Sequence, residues 1–247
     1  MKILFSPSEG KKSGGTLPPF RCDTMLFAAC ADARCEAAKH YNDFVVSADE
    51  ARLGALFGIK DSETIARYRR DVFTQPTMKA VERYDGVAYD HLDYASLGDA
   101  AKAYIDGNVV IFSNLFGPVS AADPLPEYKF KQGKRIGTFV PEKHYKQACS
   151  QALDTWLGDA PFLDLRAGFY DKFYKPSSPY VTLKFLKNGK AVSHWAKAYR
   201  GKVLRVAAQE NVQTTDGLLR LEMEGLRLIE ILQKGLETEA VYAIKTE

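Results

Sequence analysis

Short apolar runs recur along the chain, and most are rich in β-branched or aromatic residues. The clearest covers residues 109–112, where four apolar residues in a row predict a strand buried on both faces of a sheet. Comparable runs predict strands at residues 2–5, 161–165, 180–186, 225–232 and 240–245. Asn188 and Gly189 predict a hairpin turn, and the last two runs predict a closing hairpin.

Stretches with helix-forming composition separate these strands. They predict helices at residues 23–41, 47–57, 61–69, 97–105 and 141–157, a short helix starting at 74–76, and a helix from residue 193 onward. Ser47 and Glu50 have the spacing of a capping box. Pro141 suits a first helical turn, and Gly201 is expected to interrupt the last helix.

Strands at both ends and in the middle of the chain indicate one domain over residues 1–247. We predict a mixed α/β (α+β) fold with a central mixed sheet flanked by helices. The 247 residues are enough to bury a substantial core. A content of 46% hydrophobic and 26% charged residues excludes a disordered chain.

Net charge and hydropathy say little about where the protein is located or what it binds. No run approaches the roughly 20 apolar residues of a membrane span, and the first residues do not resemble a signal peptide. We therefore expect a cytoplasmic protein that does not bind membranes. The net charge of +3 is too small to indicate a nucleic-acid partner, so local clusters must do so.

The cysteines show neither a C-x-x-C pair nor zinc spacing with the histidines. They are Cys22, Cys30, Cys35 and Cys149. We expect reduced, buried thiols, no bound metal ion and no cofactor.

Polar, aromatic and basic residues follow three of the predicted strands. Ligands usually lie where parallel strands end, so these loops predict a binding cleft, although ordinary solvated loops have the same composition. The residues expected there are Ser6, Lys11, Lys12, Tyr128, Lys129, Asp164, Arg166, Tyr170 and Lys172. No nucleophile paired with a base is visible among them.

Residues 47–70 resemble the helix-hairpin-helix motif of non-specific DNA-binding proteins. Gly58, Ile59 and Lys60 form the turn, and Lys60 replaces the second glycine of the motif. Free N–H groups in such a turn, and at the start of the next helix, suit a phosphate oxygen. The alternative is any helical hairpin that ends at a glycine.

The helix after residue 193 combines basic and aromatic residues. Lys197 and Arg200 share one side at helical spacing, and Trp195 and Tyr199 lie four residues apart. This pattern fits nucleic-acid binding, and it equally fits a solvated basic face.

Several separated stretches together resemble the YaaA family of bacterial peroxide-stress proteins. They are residues 1–10 (MKILFSPSEG), 70–74 (RDVFT), 115–119 (LFGPV) with Tyr128-Lys129, 162–165 (FLDL) and 193–201 (SHWAKAYRG). The chain departs from that family at Ser8-Glu9, Phe116, Lys129 and Ala198, and two of the family's basic positions are changed or lost.

The resemblance implies a cytosolic single-domain protein with a fold particular to that family. It also implies a positively charged cleft, a helix-hairpin-helix element, binding to double-stranded DNA, and protection when peroxide and free iron threaten DNA.

We therefore expect a monomeric protein that holds double-stranded DNA mainly by sequence-independent phosphate contacts. Lys11, Lys12, Lys129, Arg166, Lys197 and Arg200 are the expected cleft contacts, and Gly58, Ile59 and Lys60 the expected hairpin contacts. One alternative is an enzyme acting on a nucleobase, nucleotide or damaged DNA in the same cleft, although no complete catalytic constellation is visible. Another is a scaffold with an incidental basic face.

Overall fold

A run of parallel strands forms the centre of the main sheet. The computed structural model describes residues 1–245, and at Ser193 and His194 it describes the backbone alone. In chain order the strands are β1 (Ile3–Phe5), β2 (Gly10–Lys11), β3 (Met78–Lys79), β4 (Tyr84–Asp85), β5 (Val109–Ser113), β6 (Gly117–Ser120), β7 (Pro124–Leu125), β8 (Phe162–Leu165), β9 (Tyr180–Lys187), β10 (Lys190–Ala191), β11 (Leu226–Lys234) and β12 (Glu237–Ile244).

The main sheet has eight strands, in the order β11-β12-β9-β8-β1-β5-β6, with β10 paired to β9. Neighbouring strands from β12 to β5 are parallel. The outer strands β11 and β6 run antiparallel to their neighbours. The predicted mixed sheet is therefore confirmed, and β2 with β4 and β3 with β7 form two small separate ribbons.

Burial follows position in the sheet. Every residue of β1, β5 and β8 is buried, as the apolar run at residues 109–112 predicts. The edge strand β11 is largely exposed or half-buried, and Ile229 and Ile231 are exposed there. The inner strands thus form the core, and their ends are fixed points to which loops attach.

The chain reverses its winding direction at β1. It first adds β5 and β6 on one side of β1, and later returns to the other side with β8. Phe5 lies in register with Leu165 of β8, so the carboxyl ends of β1 and β8 meet. Ligand sites in sheets of this kind lie in the crevice outside such a switch point.

Several helices pack on one another beside the sheet. They are α1 (Ala31–Ser47), α2 (Glu50–Phe57), α3 (Ser62–Tyr68), α4 (Ala80–Arg83), α5 (Val87–Leu92), α6 (Asp99–Asn108), α7 (Pro141–Leu157), α8 (Ser193–Gln209) and α9 (Thr215–Arg220). α5 and α6 both pack on α8, while α1 packs on α7. None of these helices, over residues 1–245, is long and apolar enough to cross a membrane.

Most predicted helices exist, but two of their boundaries are wrong. The first helix, α1, begins and ends later than the predicted residues 23–41. Ser47 is its last residue and donates its hydroxyl to the Asp43 carbonyl, so it is not part of a capping box. Asp49 caps α2 instead, because its carboxylate accepts the Arg52 N–H at 2.8 Å.

Two further helix predictions are also wrong. Residues 74–76 form no helix, because the Asp71 carboxylate accepts the Phe73 N–H and the Asp71 carbonyl accepts from Thr74 and Gln75, which stabilises a turn. Gly201 does not interrupt α8.

Gly201 is required for close packing between two helices. A β-carbon at this position would overlap the Ala88 carbonyl oxygen of α5 and would lie 3.1 Å from the Leu92 nitrogen. The glycine therefore allows α8 to rest directly on the α5 backbone. This contact places the residues of α8 beside the end of β1.

The four cysteines form two disulfide bonds, Cys22–Cys35 and Cys30–Cys149, each with Cα atoms 5.7 Å apart. The prediction of reduced thiols is therefore wrong. Cys30 and Cys149 are 119 residues apart in sequence, and only the packing of α7 against residues 28–30 brings them together. Spacing along the chain cannot show such a pairing.

Candidate nucleic-acid interface

A crevice opens where β1 and β8 end. Ser6 follows β1, and its hydroxyl oxygen accepts the N–H of Ala167, which follows β8, at 2.7 Å. The Tyr89 hydroxyl of α5 donates to the Ser6 carbonyl at 2.9 Å. These two bonds fix the loop after β1 to both neighbouring elements.

The crevice is large enough to hold a small molecule. Its volume is about 360 Å³, and small-molecule sites commonly measure about 300–1,000 Å³. Its buried walls are Phe5, Tyr89, Leu165 and Tyr170, and its more exposed polar walls are Ser6, Ser8, Glu9, Asp85, Gln132, Lys197 and Arg200. We call this crevice the switch-point pocket.

Two cations reach the switch-point pocket from α8. Lys197 is exposed, whereas Arg200 is half-buried. Burial lowers the pKa of the Arg200 guanidinium, and the Asp164 carboxylate opposes this shift. Within residues 1–245, no side chain that the structure describes forms a hydrogen bond or ion pair with Arg200. Arg200 lines both this pocket and a second cavity that contains Asp164.

The loop after β1 is also tied to the basic segment after Tyr128. The Lys129 ammonium donates to the Glu9 carbonyl at 2.7 Å and lies 3.4 Å from the Glu9 carboxylate. The other Glu9 carboxylate oxygen accepts the Gln132 N–H at 2.9 Å. Glu9 therefore neutralises part of the charge of Lys129 and holds Gln132 at the pocket rim.

The same segment continues to the hairpin of α2 and α3. The Lys131 N–H donates to the Leu56 carbonyl at 3.1 Å. Gly58 has the left-handed φ of 70°, and a β-carbon there would collide with the Lys131 side chain. Gly58 thus permits both the turn and the close approach of Lys131.

An open groove runs along this hairpin, with a volume of about 700 Å³. Its lining residues are Glu50, Ala51, Gly54, Ala55, Gly58, Ile59, Lys60, Ile65, Lys131 and Lys134. We call it the hairpin groove. Its three lysines are exposed, and the described part of the chain provides no ion-pair partner for any of them. Lys131 of the groove is adjacent in sequence to Gln132, which lines the switch-point pocket.

The two helices and the left-handed Gly58 are present as predicted, but the turn N–H groups are not all free. Gly58 and Ile59 both donate to the Gly54 carbonyl, at 2.8 and 3.1 Å. The Asp61 carboxylate caps α3 by accepting the Thr64 N–H. The expectation of unpaired N–H groups is therefore wrong for Gly58 and Ile59, and DNA contact by the hairpin stays a prediction.

Lys11 is placed differently from a surface phosphate contact. It is only 7% exposed, and its ammonium donates to the Ser8 carbonyl at 3.2 Å. The ammonium lies 4.4 Å from the Tyr128 ring centre and 5.2 Å from that of Tyr84. Burial, followed by the positive charge of Lys129, lowers the pKa of Lys11 to about 7.

This buried lysine predicts a pH-dependent stability. An unfolded lysine keeps its proton up to a pKa of about 10.4, so between pH 7 and 10 the unfolded chain holds a proton that the folded chain has lost. The free energy of unfolding should therefore rise with pH in this window, and Lys11→Met should reduce the rise. Urea unfolding of the wild type and of Lys11→Met from pH 7 to 9 measures this free energy. Lys12 is exposed, so Lys12→Met is the control. If the free energy of unfolding rises with pH equally in Lys11→Met and in the wild type, Lys11 is not the source of the rise.

Arg166 and Asp164 are occupied with each other. The Arg166 side chain is 1% exposed and pairs with Asp164 at 2.7 Å. It also donates to the carbonyls of Tyr170 and Tyr174 at 3.1 and 3.0 Å. Through these bonds Arg166 stabilises the segment after β8. Both residues line a second cavity of about 640 Å³, which shares Arg200 with the switch-point pocket.

The remaining predicted residues are spread over several places. Tyr128 is buried, and its hydroxyl lies within hydrogen-bonding distance of the Ser113 and Tyr84 hydroxyls. Lys172 is exposed, with its ammonium 5.0 Å from the Phe169 ring centre. Lys12 lines a separate cavity of about 310 Å³. Of the predicted set, Ser6, Tyr170, Lys197 and Arg200 meet in one pocket.

Sequence reasoning missed Asp85, Tyr89 and Gln132, which line the switch-point pocket. Lys131 and Lys134 belong to the basic cluster after Tyr128, which predicts the rim of a cleft, and they line the hairpin groove. Clustered basic residues between 129 and 135 were visible as a signal. The short helix α5, which carries Tyr89, has only six residues and gives no clear periodicity.

Comparison with known proteins gives the family. The family model described as "Peroxide stress protein YaaA" matches residues 1–231. The chain belongs to the YaaA family. The resemblance stated from separated sequence stretches is thus confirmed over nearly the whole chain.

Relatives match across most of their lengths. An uncharacterized protein of Campylobacter jejuni is 47% identical over 244 residues, covering 99% of each chain. A UPF0246 protein of Streptomyces coelicolor is 30% identical over 214 residues, covering 83% of this chain and 82% of the relative. A UPF0246 protein of Corynebacterium glutamicum is 33% identical over 217 residues, covering 84% and 85%.

Proposed function

We propose that this YaaA-family protein binds double-stranded DNA as a monomer and without sequence preference. The duplex lies along the hairpin groove and the adjacent residues 129–135, and the binding serves protection against peroxide. The family is described as peroxide stress proteins, which supports the second part of the proposal.

Three lysines for which residues 1–245 provide no ion-pair partner support the first part of the proposal. Lys60, Lys131 and Lys134 come from two different segments and converge on one open groove. Lysines without an acidic partner suit phosphate oxygens, and phosphate contacts position a protein on DNA without reading its sequence. Lysines that are only solvated would not be expected to converge on one groove.

A second pair of cations extends this surface. Gln132 lies on the rim of the switch-point pocket, next to Lys131, and Lys197 and Arg200 line the same pocket. In this proposal a duplex held in the hairpin groove extends toward Lys197. Lys11 and Arg166 take no part, because both are buried and occupied by other groups.

Single neutralisations test the proposal. Lys131→Gln and Lys197→Gln should each weaken duplex binding and lower the slope of log affinity against log salt by about one, because each removes one phosphate contact. Fluorescence anisotropy with a labelled duplex at several salt concentrations measures both quantities. Lys146→Gln is the matched control, because Lys146 is exposed on α7 and lines neither site. If all three variants bind like the wild type, this surface does not contact DNA.

A further inference from the structure

The switch-point pocket has the size, charge and walls of a nucleotide site. We propose that it binds one nucleoside monophosphate unit, with the phosphate on Arg200 and Lys197 and the base against the aromatic walls. The unit is either a free mononucleotide or a nucleotide extruded from the bound duplex. Only the second source rests on the proposed DNA binding.

Arg200 is the side chain that favours a phosphate group in this pocket. A half-buried guanidinium has lost part of its hydration, and this loss is unfavourable unless an anion or hydrogen-bond acceptors replace the water. Among residues 1–245, no described side chain bonds to Arg200, and the nearby Asp164 carboxylate is already paired with Arg166. Lys197 lies three residues earlier on α8 and borders the same space, so one bound phosphate satisfies both cations.

The walls indicate the base and the sugar. Tyr89 and Tyr170 are buried beside the apolar Phe5 and Leu165, and this surface suits a flat aromatic ring. The Ser6 hydroxyl accepts the Ala167 N–H and can still donate its own hydrogen. The Asp85 carboxylate and the Gln132 amide supply acceptors and donors at the rim. Inorganic phosphate would contact only Arg200 and Lys197, and the space beside these walls would stay empty.

Position indicates how DNA could supply the ligand. The pocket begins at Gln132, one residue from Lys131 of the hairpin groove. A protein that reads or processes a base must take it out of the stack, and the cost of extrusion is lowest at a mismatch. A nucleotide leaving a duplex in the groove therefore enters the pocket at its rim.

The first arm of the test uses free ligands and the full chain. Calorimetry compares 2′-deoxynucleoside 5′-monophosphates, the matching nucleosides and inorganic phosphate. At least one monophosphate should bind about ten times more tightly than its nucleoside and than phosphate. Arg200→Gln should weaken this binding at least about tenfold, since it removes one charge-assisted contact to the phosphate. Lys197→Gln, at an exposed position, gives a second variant that does not disturb packing, and Lys146→Gln should match the wild type.

The second arm uses a duplex that carries 2-aminopurine at a mismatch. Extrusion removes stacking, so the fluorescence should rise when the wild type binds, and the rise should be lost in Arg200→Gln. Bound duplex without a rise, together with no monophosphate bound more tightly than phosphate, would overturn the nucleotide site and leave the DNA proposal standing. Monophosphate binding without duplex binding would support the site with a free ligand and refute the DNA proposal alone.

Discussion

Replacing Lys60, Lys131 and Lys134 together by glutamate is expected to weaken duplex binding by at least about 100-fold at moderate salt. Each lysine provides one charge-assisted phosphate contact, and three lost contacts of roughly 1.5 kcal/mol exceed the roughly 2.7 kcal/mol that a 100-fold change requires. The three glutamates add repulsion from the phosphates. Anisotropy titration of a labelled duplex measures the loss.

The matched control changes the same net charge elsewhere. Lys39, Lys143 and Lys146 are exposed on α1 and α7 and line neither the hairpin groove nor the switch-point pocket. Their triple replacement by glutamate should leave most of the affinity intact, apart from a general electrostatic decrease. Equal losses in the two triple variants would show that only the total charge matters, and the hairpin groove would then have no special role.

Replacing Gly201 by alanine is expected to destabilise the fold by roughly 3 kcal/mol, as overpacking of a closely packed contact does. The new β-carbon overlaps the Ala88 carbonyl, and this atom belongs to the α5 backbone and cannot rotate away. α8 must therefore move off α5, which displaces Arg200 and Lys197 from the switch-point pocket. Urea unfolding of the variant measures the free energy.

Gly107 gives the comparison for this change. It lies in α6, and a β-carbon there meets nothing within 4 Å. Gly107→Ala should stabilise the protein by up to about 1 kcal/mol, because alanine favours the helix more than glycine does. If Gly201→Ala also stabilises the protein, α8 does not rest on α5 as closely as the structure shows.

The strands and the longest helices could be predicted from local pattern. The buried run at residues 109–112 became β5, and Pro141 and Gly158 bracket α7 as expected. Such features depend on residues close in sequence, and the pattern therefore contains them. The capping box at Ser47 failed because α1 extends through that residue, which depends on packing further along the chain.

The candidate site could be predicted only as a set of loops. Ser6, Tyr170, Lys197 and Arg200 meet because the chain reverses its winding at β1, as strand-end reasoning suggests. The partner of each charged side chain could not be predicted. Glu9 pairs with Lys129, Asp164 pairs with Arg166, and two tyrosine rings enclose Lys11. Glu9 and Lys129 are 120 positions apart, so their spacing along the chain could not predict this contact.

The salt dependence of duplex binding by the wild-type protein tests the central claim most directly. Titrations with two duplexes of unrelated sequence should give equal affinities, and log affinity should fall linearly with log salt. At least three phosphate contacts predict a slope of about −3 or steeper. Absence of binding at low salt, or a slope near zero, would contradict a protein held on DNA by its hairpin groove.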